Sequence, residues 1–160
     1  MNAVEMLRQQ HREVEDLFKQ FEAGDEEERR ATFEEIADAL AVHSAIEERH
    51  FYPGVKQKQT EELLFESVEE HLEIKRAIAD LLSLEEEDQT FEAKVKVLKE
   101  DVEHHVEEEE TALFPKVETL IDIETLEAIG AAMEQTQQEL LNEGNPRDAV
   151  PDQTEAAAPI

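Results

Sequence analysis

The sequence predicts an all-α protein, an antiparallel up-down four-helix bundle followed by a fifth, C-terminal helix. Three observations carry that prediction. Apolar residues recur in alternating steps of three and four through four long segments, and no segment sustains the period of two that a strand requires. Only 4 Gly and 5 Pro interrupt the 160 residues, and Glu, Ala, Leu and Gln, all good helix formers, dominate the remainder. The turn residues fall between the periodic segments rather than within them.

The first helix is expected from about Ala3 to Phe21, with Asn2 as N-cap and Glu5 completing a capping box. It presents Val4, Leu7, Val14, Phe18 and Phe21, and Gly24-Asp25 breaks it. The second starts within 26–32, presents Phe33, Ile36 and Leu40, and runs to about Tyr52, where Pro53-Gly54 ends or kinks it. The third follows Thr60, with Glu61 and Glu62 in the first turn, where carboxylates suit the helix dipole. It presents Leu64, Ile74, Ile78 and Leu81 and gives way to an acidic loop at 85–89. The fourth, after Thr90, presents Phe91, Val95, Leu98 and Val102 and reaches about Phe114, ahead of Pro115. A fifth, from about Ile123 to Leu141, stops at Gly144 and carries Leu126, Ile129, Met133 and Leu140 for packing across the bundle. Residues 1–143 thus read as one domain and 144–160 as a disordered tail.

Composition narrows the function. Acids outnumber bases 43 to 15, for a net charge of −28 and a pI near 4.3. Nucleic acid and anionic membrane are therefore not expected partners, because both need clustered Lys or Arg. Cysteine is absent, which excludes a disulfide-linked partner, thiolate metal sites, Fe–S clusters and thiol catalysis. No apolar run approaches the roughly 20 residues that span a bilayer, and residues 1–18 do not form a secretory signal, so the expected location is cytoplasmic.

Each apolar seam is interrupted by polar residues at positions where an apolar one belongs. The steps pass through His11 in the first helix, His43, Glu47 and His50 in the second, His71 in the third, and His105 and Glu109 in the fourth. Two unpaired buried carboxylates would cost several kcal/mol each or be neutralised, so an inward-facing pair calls for cations. In an antiparallel bundle, residues at one height lie symmetrically about each turn. His11 and His43 are centred on residue 27, His43/Glu47 and His71 near 58, and His71 and His105/Glu109 near 89, all within turn-like stretches. Four His and two Glu are therefore expected in one layer. His50 is on the seam one turn further and is weighed as an extra ligand, a proton donor just outside the donor set, or a structural residue. His104 lies one position off the seam, and Tyr52, about half a turn from the face of His43, reads as packing.

The pattern is internally repeated. His43…Glu47-Glu48…Tyr52-Pro53 aligns with His105…Glu109-Glu110…Phe114-Pro115 at an offset of 62 residues, and His11 precedes His71 by 60. In each copy a His-x-x-x-Glu places an imidazole and a carboxylate on one helix face. From Val4 to Pro115 the sequence resembles the hemerythrin-like HHE cation-binding family. The resemblance implies two non-haem irons bridged by Glu47 and Glu109 and by an oxo or hydroxo group. His11 and His43 would serve one iron and His71 and His105 the other. Imidazole and carboxylate donors would also take manganese or zinc. The implied partner is a small diatomic molecule or peroxide that is bound, sensed or reacted with; the alternatives are peroxidase or catalase-like turnover, or iron storage and donation for iron-centre repair. Oxygen-carrying members have a further His where this chain has Lys75. That difference implies a less fully ligated centre, more disposed to react than to carry O2.

Overall fold

The computed structural model of the chain describes residues 1–85 and 87–160; Glu86, in the acidic loop expected at 85–89, lies outside the described residues. Four long helices form the bundle: α1 (Ala3–Ala23), α2 (Glu26–Ile46), α4 (Glu61–Ser83) and α5 (Phe91–Glu108). Among the described residues there is no strand. The Asn2 capping box is formed in full: Asn2 accepts from the Glu5 amide, and Glu5 accepts from the Asn2 amide. Asp25 caps α2 by accepting from the Glu28 amide.

Two of the helices do not end where their prolines suggested. Directly after α2 the chain makes a π-turn, Glu47–Phe51, and continues as α3 (Tyr52–Val55). Directly after α5 it makes a second, Glu109–Leu113, and continues as α6 (Phe114–Leu120). In each, the first amide beyond the turn bonds to the glutamate carbonyl five residues earlier: Tyr52 to Glu47 and Phe114 to Glu109. Pro53 and Pro115 then fall in the first turn of the resumed helix, where a missing N–H costs least. The repeat found in the sequence is therefore also a repeat of backbone conformation.

The core has two parts. One, around Leu7, Ile46, Phe51, Leu64, Leu113 and Phe114, fills the end of the bundle with the π-turns. The other, around Phe18, Phe33, Ile36, Ile78, Leu81 and Leu98, fills the opposite end. The polar residues of the seams occupy the level between them. Helix α7 (Ile123–Asn142) packs across α1 and α2. Its approach is close enough that a Cβ at Gly130 would stand 2.8 Å from the Met1 carbonyl, and one at Gly54 would stand 2.7 Å from the Ile129 side chain.

The C-terminal segment corrects the expectation of disorder. After Gly144, whose φ of +127° reverses the chain, Pro146–Gln153 forms a 3₁₀ helix seated on α2 and α4. Its composition is polar and proline-rich, but Val150 is buried in the second core part at 2% exposure. The Arg147 amide and guanidinium both donate to Asp38, each at 2.9 Å. A short segment with one apolar anchor has no periodicity for the sequence to display. Among the described residues, no helix is long and apolar enough to cross a membrane.

Candidate metal centre

The structure brings the six expected donors together: His11 on α1, His43 on α2, Glu47 opening the first π-turn, His71 on α4, His105 on α5, and Glu109 opening the second π-turn. All are buried, none more than 6% exposed. The ligand atoms of His11, His43, Glu47 and Glu109 lie within 4.8 Å of one another, as do those of Glu47, His71 and His105, so Glu47 belongs to both groups. His11 Nε2 and His105 Nε2 each stand 3.3 Å from Glu109 Oε1. His71 Nε2 is 3.8 Å from Glu47 Oε2, and His43 Nε2 contacts Glu47 Oε1.

Each imidazole is held from behind. The Nδ1 atom of His11 bonds to Glu110 at 2.8 Å, that of His71 to Glu48 at 2.7 Å, that of His105 to Glu70 at 2.9 Å, and that of His43 to the Gln10 amide oxygen at 2.7 Å. A carboxylate or amide oxygen accepts, so Nδ1 carries the proton and Nε2 faces inward. Each acceptor is fixed in turn. Arg12 donates to Glu110 at 2.6 Å and Lys75 to Glu48 at 2.8 Å; Gln10 donates to Gln137 of α7 at 2.6 Å, and Glu70 lies 3.3 Å from His104. Such outer partners orient ligating imidazoles and raise their basicity.

Most of the inward atoms lack matching partners, whereas His71 Nε2 and His105 Nε2 lie 3.1 Å from each other. His11 Nε2, His43 Nε2, both Glu47 oxygens and Glu109 Oε1 are buried without a hydrogen bond. Orphaned groups of this kind ordinarily cost about 1–3 kcal/mol each, more when charged, and so call for a ligand. Burial, reinforced by Glu109, pushes the Glu47 carboxyl well above the usual range. Burial opposes ionisation of Glu109 as well, but His105 and His11 outweigh it and hold that carboxyl well below. Burial likewise opposes charge on His105, yet Glu109 and Glu70 raise its pKa to about 10. His43 lies well below its ordinary value, through burial and then the positive field of His11, and burial also lowers His71. Protons on Glu47 and His105 thus offset charge that a divalent cation would offset instead. The donor set, two carboxylates and four neutral-tautomer imidazoles, suits iron, manganese or zinc.

Sequence reasoning assigned Tyr52 to packing, and the structure corrects this. Its hydroxyl donates to Glu109 Oε2 at 2.8 Å and lies 3.1 Å from His71 Nε2. The extra residue of the π-turn rotates Tyr52 onto the inward face, which a regular α-helix would not do. Burial and the two carboxylates raise its phenol well above the ordinary value, so it remains a neutral donor. In the second copy Phe114 takes the matching place, stacked on His11 with ring centroids 5.8 Å apart and 7° between planes. The same rotation carries His50 out of the layer, where it bonds to Thr136 of α7 at 2.7 Å. It is not among the His and Glu groups whose ligand atoms cluster. His104 is 71% exposed, consistent with the off-seam register.

On the side of the imidazoles away from Glu47, Glu109 and Tyr52 there is a cavity of about 30 Å³. The four histidines border it, and Leu40, Ile74, Ile78, Val102 and Val150 supply most of its apolar wall, with Lys75 at its margin. A water-sized molecule needs roughly 10–15 Å³, so the space admits a diatomic or similarly small guest.

The hemerythrin HHE cation-binding domain profile matches residues 2–117. The chain belongs to the hemerythrin HHE family. A crystal structure of a hemerythrin HHE cation-binding domain-containing protein from Mycobacterium kansasii aligns with a TM-score of 0.78 and 26% identity, over 95% of this chain and 98% of that one. A DNA nickase from Nostoc sp. is 28% identical over 128 residues, covering 79% of this chain and 36% of the nickase. The chain therefore spans about a third of the length of that curated relative. HHE domains bind metal cations, and the buried layer gathers the His and Glu groups able to hold one here.

Proposed function

We propose that this HHE domain holds two irons side by side, with Glu47 and Glu109 shared between them, His11 and His43 serving one and His71 and His105 the other. Its function on this reading is to bind or react with O2, nitric oxide or peroxide. The inward atoms carry the proposal: every outer nitrogen is bonded, while His11 Nε2, His43 Nε2, both Glu47 oxygens and Glu109 Oε1 have no partner, and His71 Nε2 and His105 Nε2 face each other where an ion would sit. An iron pair supplies a redox couple and exchangeable coordination positions. The chain's own residues do the rest. Glu48, Glu70, Glu110 and Gln10 fix the rings, and the apolar cavity excludes bulk water while receiving a small ligand. Tyr52 holds a proton at its hydroxyl oxygen against Glu109 and His71.

Lys75 stands where the oxygen carriers have a further His, and its ammonium is held by Glu48, which favours reaction with peroxide over reversible O2 carriage. The nickase activity of the Nostoc relative does not fit a chain with 43 acids and 15 bases, whose net charge of −28 repels phosphate. The test is metal analysis of iron-loaded protein together with its visible spectrum. About two irons per chain are expected, falling to one or fewer in His71→Ala. A single iron in the unmodified chain, or zinc retained in preference to added iron, refutes the reading. Mixing with peroxide then separates turnover, seen as sustained O2 evolution, from a single stoichiometric bleaching.

A further inference from the structure

Val150 is the only residue of the C-terminal segment that borders the cavity beside the imidazoles; the other bordering residues come from α1, α2, α4 and α5. That segment is anchored by Val150 and fastened around it by polar ties. Arg147 is clamped to Asp38 and stands 3.2 Å from Glu34. Arg76 on α4 donates to the carbonyls of Thr154 and Glu155 at 2.9 and 3.2 Å, and Lys56 donates to the carbonyl of Ile160 at 3.1 Å. Gly144, at φ +127°, joins the segment to α7 in a conformation that leaves its far side open, with nothing within 4 Å of where a Cβ would stand. Partly exposed ion pairs are individually weak.

We propose that the C-terminal segment is the door of the ligand cavity, with Val150 as the plug that limits what reaches the imidazoles, Gly144 as the pivot, and Arg147–Asp38 as the latch. The guest is a small, weakly polar molecule of the size of O2 or nitric oxide, matched to the apolar wall and the 30 Å³ volume. The inference rests on the preceding reading only for the identity of that guest. A rival route exists: a groove of about 330 Å³ between α1 and α5, walled by Arg12, Lys19, Lys99 and Glu103, reaches Val14, Val102 and Val106 at the cavity's edge and borders His11 itself.

The full chain can be tested in two ways. In metal-free protein, xenon followed by ¹²⁹Xe NMR reports the cavity without any iron chemistry, since dry apolar cavities bind xenon. Val150→Ala should strengthen xenon binding several-fold and Val150→Trp abolish it, with Val97→Ala on the exposed face of α5 as an unchanged control. In iron-loaded protein, the nitric oxide association rate measured by stopped flow should rise at least tenfold in Arg147→Ala and be indifferent to Glu103→Trp, which fills the rival groove without bordering the cavity. Xenon binding that ignores both Val150 variants overturns the plug. An association rate unchanged in Arg147→Ala overturns the door, and one slowed in Glu103→Trp assigns entry to the groove instead. Should iron-loaded protein take up no nitric oxide at all, the functional reading falls, while the xenon arm still decides whether Val150 closes the cavity.

Discussion

Replacing Lys75 by Met tests whether the imidazoles depend on their outer partners. Lys75 and Glu48 form a pair 2.8 Å apart whose side chains are 7% and 10% exposed, and Glu48 in turn holds His71 Nδ1 at 2.7 Å. Methionine preserves the stem and volume of lysine but strands the Glu48 carboxylate with only His71 for a partner. Breaking one side of a buried pair costs about 3–5 kcal/mol, and the surviving His71 bond places the expected loss near 3. For a chain of this size each kcal/mol moves Tm by about 2–4 °C, so a fall of roughly 6–12 °C is expected in metal-free protein. The double variant Lys75→Met/Glu48→Gln should regain at least half of it, because the stranded charge is then gone. The pH dependence has a definite sign. Burial opposes ionisation of Glu48, but His71 and Lys75 outweigh it and depress its pKa below 4.5. Its contribution is therefore present above about pH 4.5 and is lost as pH falls through the depressed value. The gap between wild type and Lys75→Met should accordingly narrow in acid. Iron affinity should drop about 10–100-fold with the loosened His71. Differential scanning calorimetry and chelator competition provide the measurements. A Tm within 1–2 °C of wild type together with unchanged iron affinity refutes the reasoning.

Three further outcomes are expected. Tyr52→Phe leaves Glu109 Oε2 without its donor and should cost metal-free protein about 1–3 kcal/mol in urea unfolding, with a changed visible spectrum after iron loading. His105, held at about 10 by Glu109 and Glu70 against burial, stabilises the metal-free fold fully below its ordinary 6.5 and loses that contribution as pH rises through 10. Metal uptake requires the same proton to leave, so apparent affinity should increase between pH 6 and 10, with about one proton released for this ligand, measured by calorimetry in buffers of different ionisation enthalpy. Gly130→Val forces a side chain onto the Met1 carbonyl, 2.8 Å from the Cβ position, and should destabilise the fold by about 1–3 kcal/mol while exposing α7 to proteolysis. Unchanged cleavage of α7 would show that this contact does not hold it.

Much of the centre was legible in the sequence because inward positions of a regular helix repeat in steps of three and four, and a His or Glu on that step has nowhere else to point. His11, His43, Glu47, His71, His105 and Glu109 are all placed by that rule and gathered at one level. The rule fails where the helix stops being regular. At 47–51 and 109–113 one added residue per turn shifts the register, which turns Tyr52 inward and His50 outward. Nothing in local composition distinguishes a π-turn from the α-helix on either side of it. The outer acceptors Gln10, Glu48, Glu70 and Glu110 were hidden for another reason: on paper they are ordinary surface residues, and only the pairing of helices assigns each to an imidazole. Proline-rich composition likewise concealed the seating of Val150.

The two hairpins differ around the layer: a phenol at Tyr52 answers a phenyl ring at Phe114, and the Gln10 amide behind His43 answers the Glu70 carboxylate behind His105. One half of the pair is thus polar and able to share a proton, the other dry and stacked. A cation or small guest on the first side would meet a hydroxyl, and on the second a ring face, so the two sides of the layer are not interchangeable. A duplicated scaffold thereby loses its symmetry at the level where its polar groups gather.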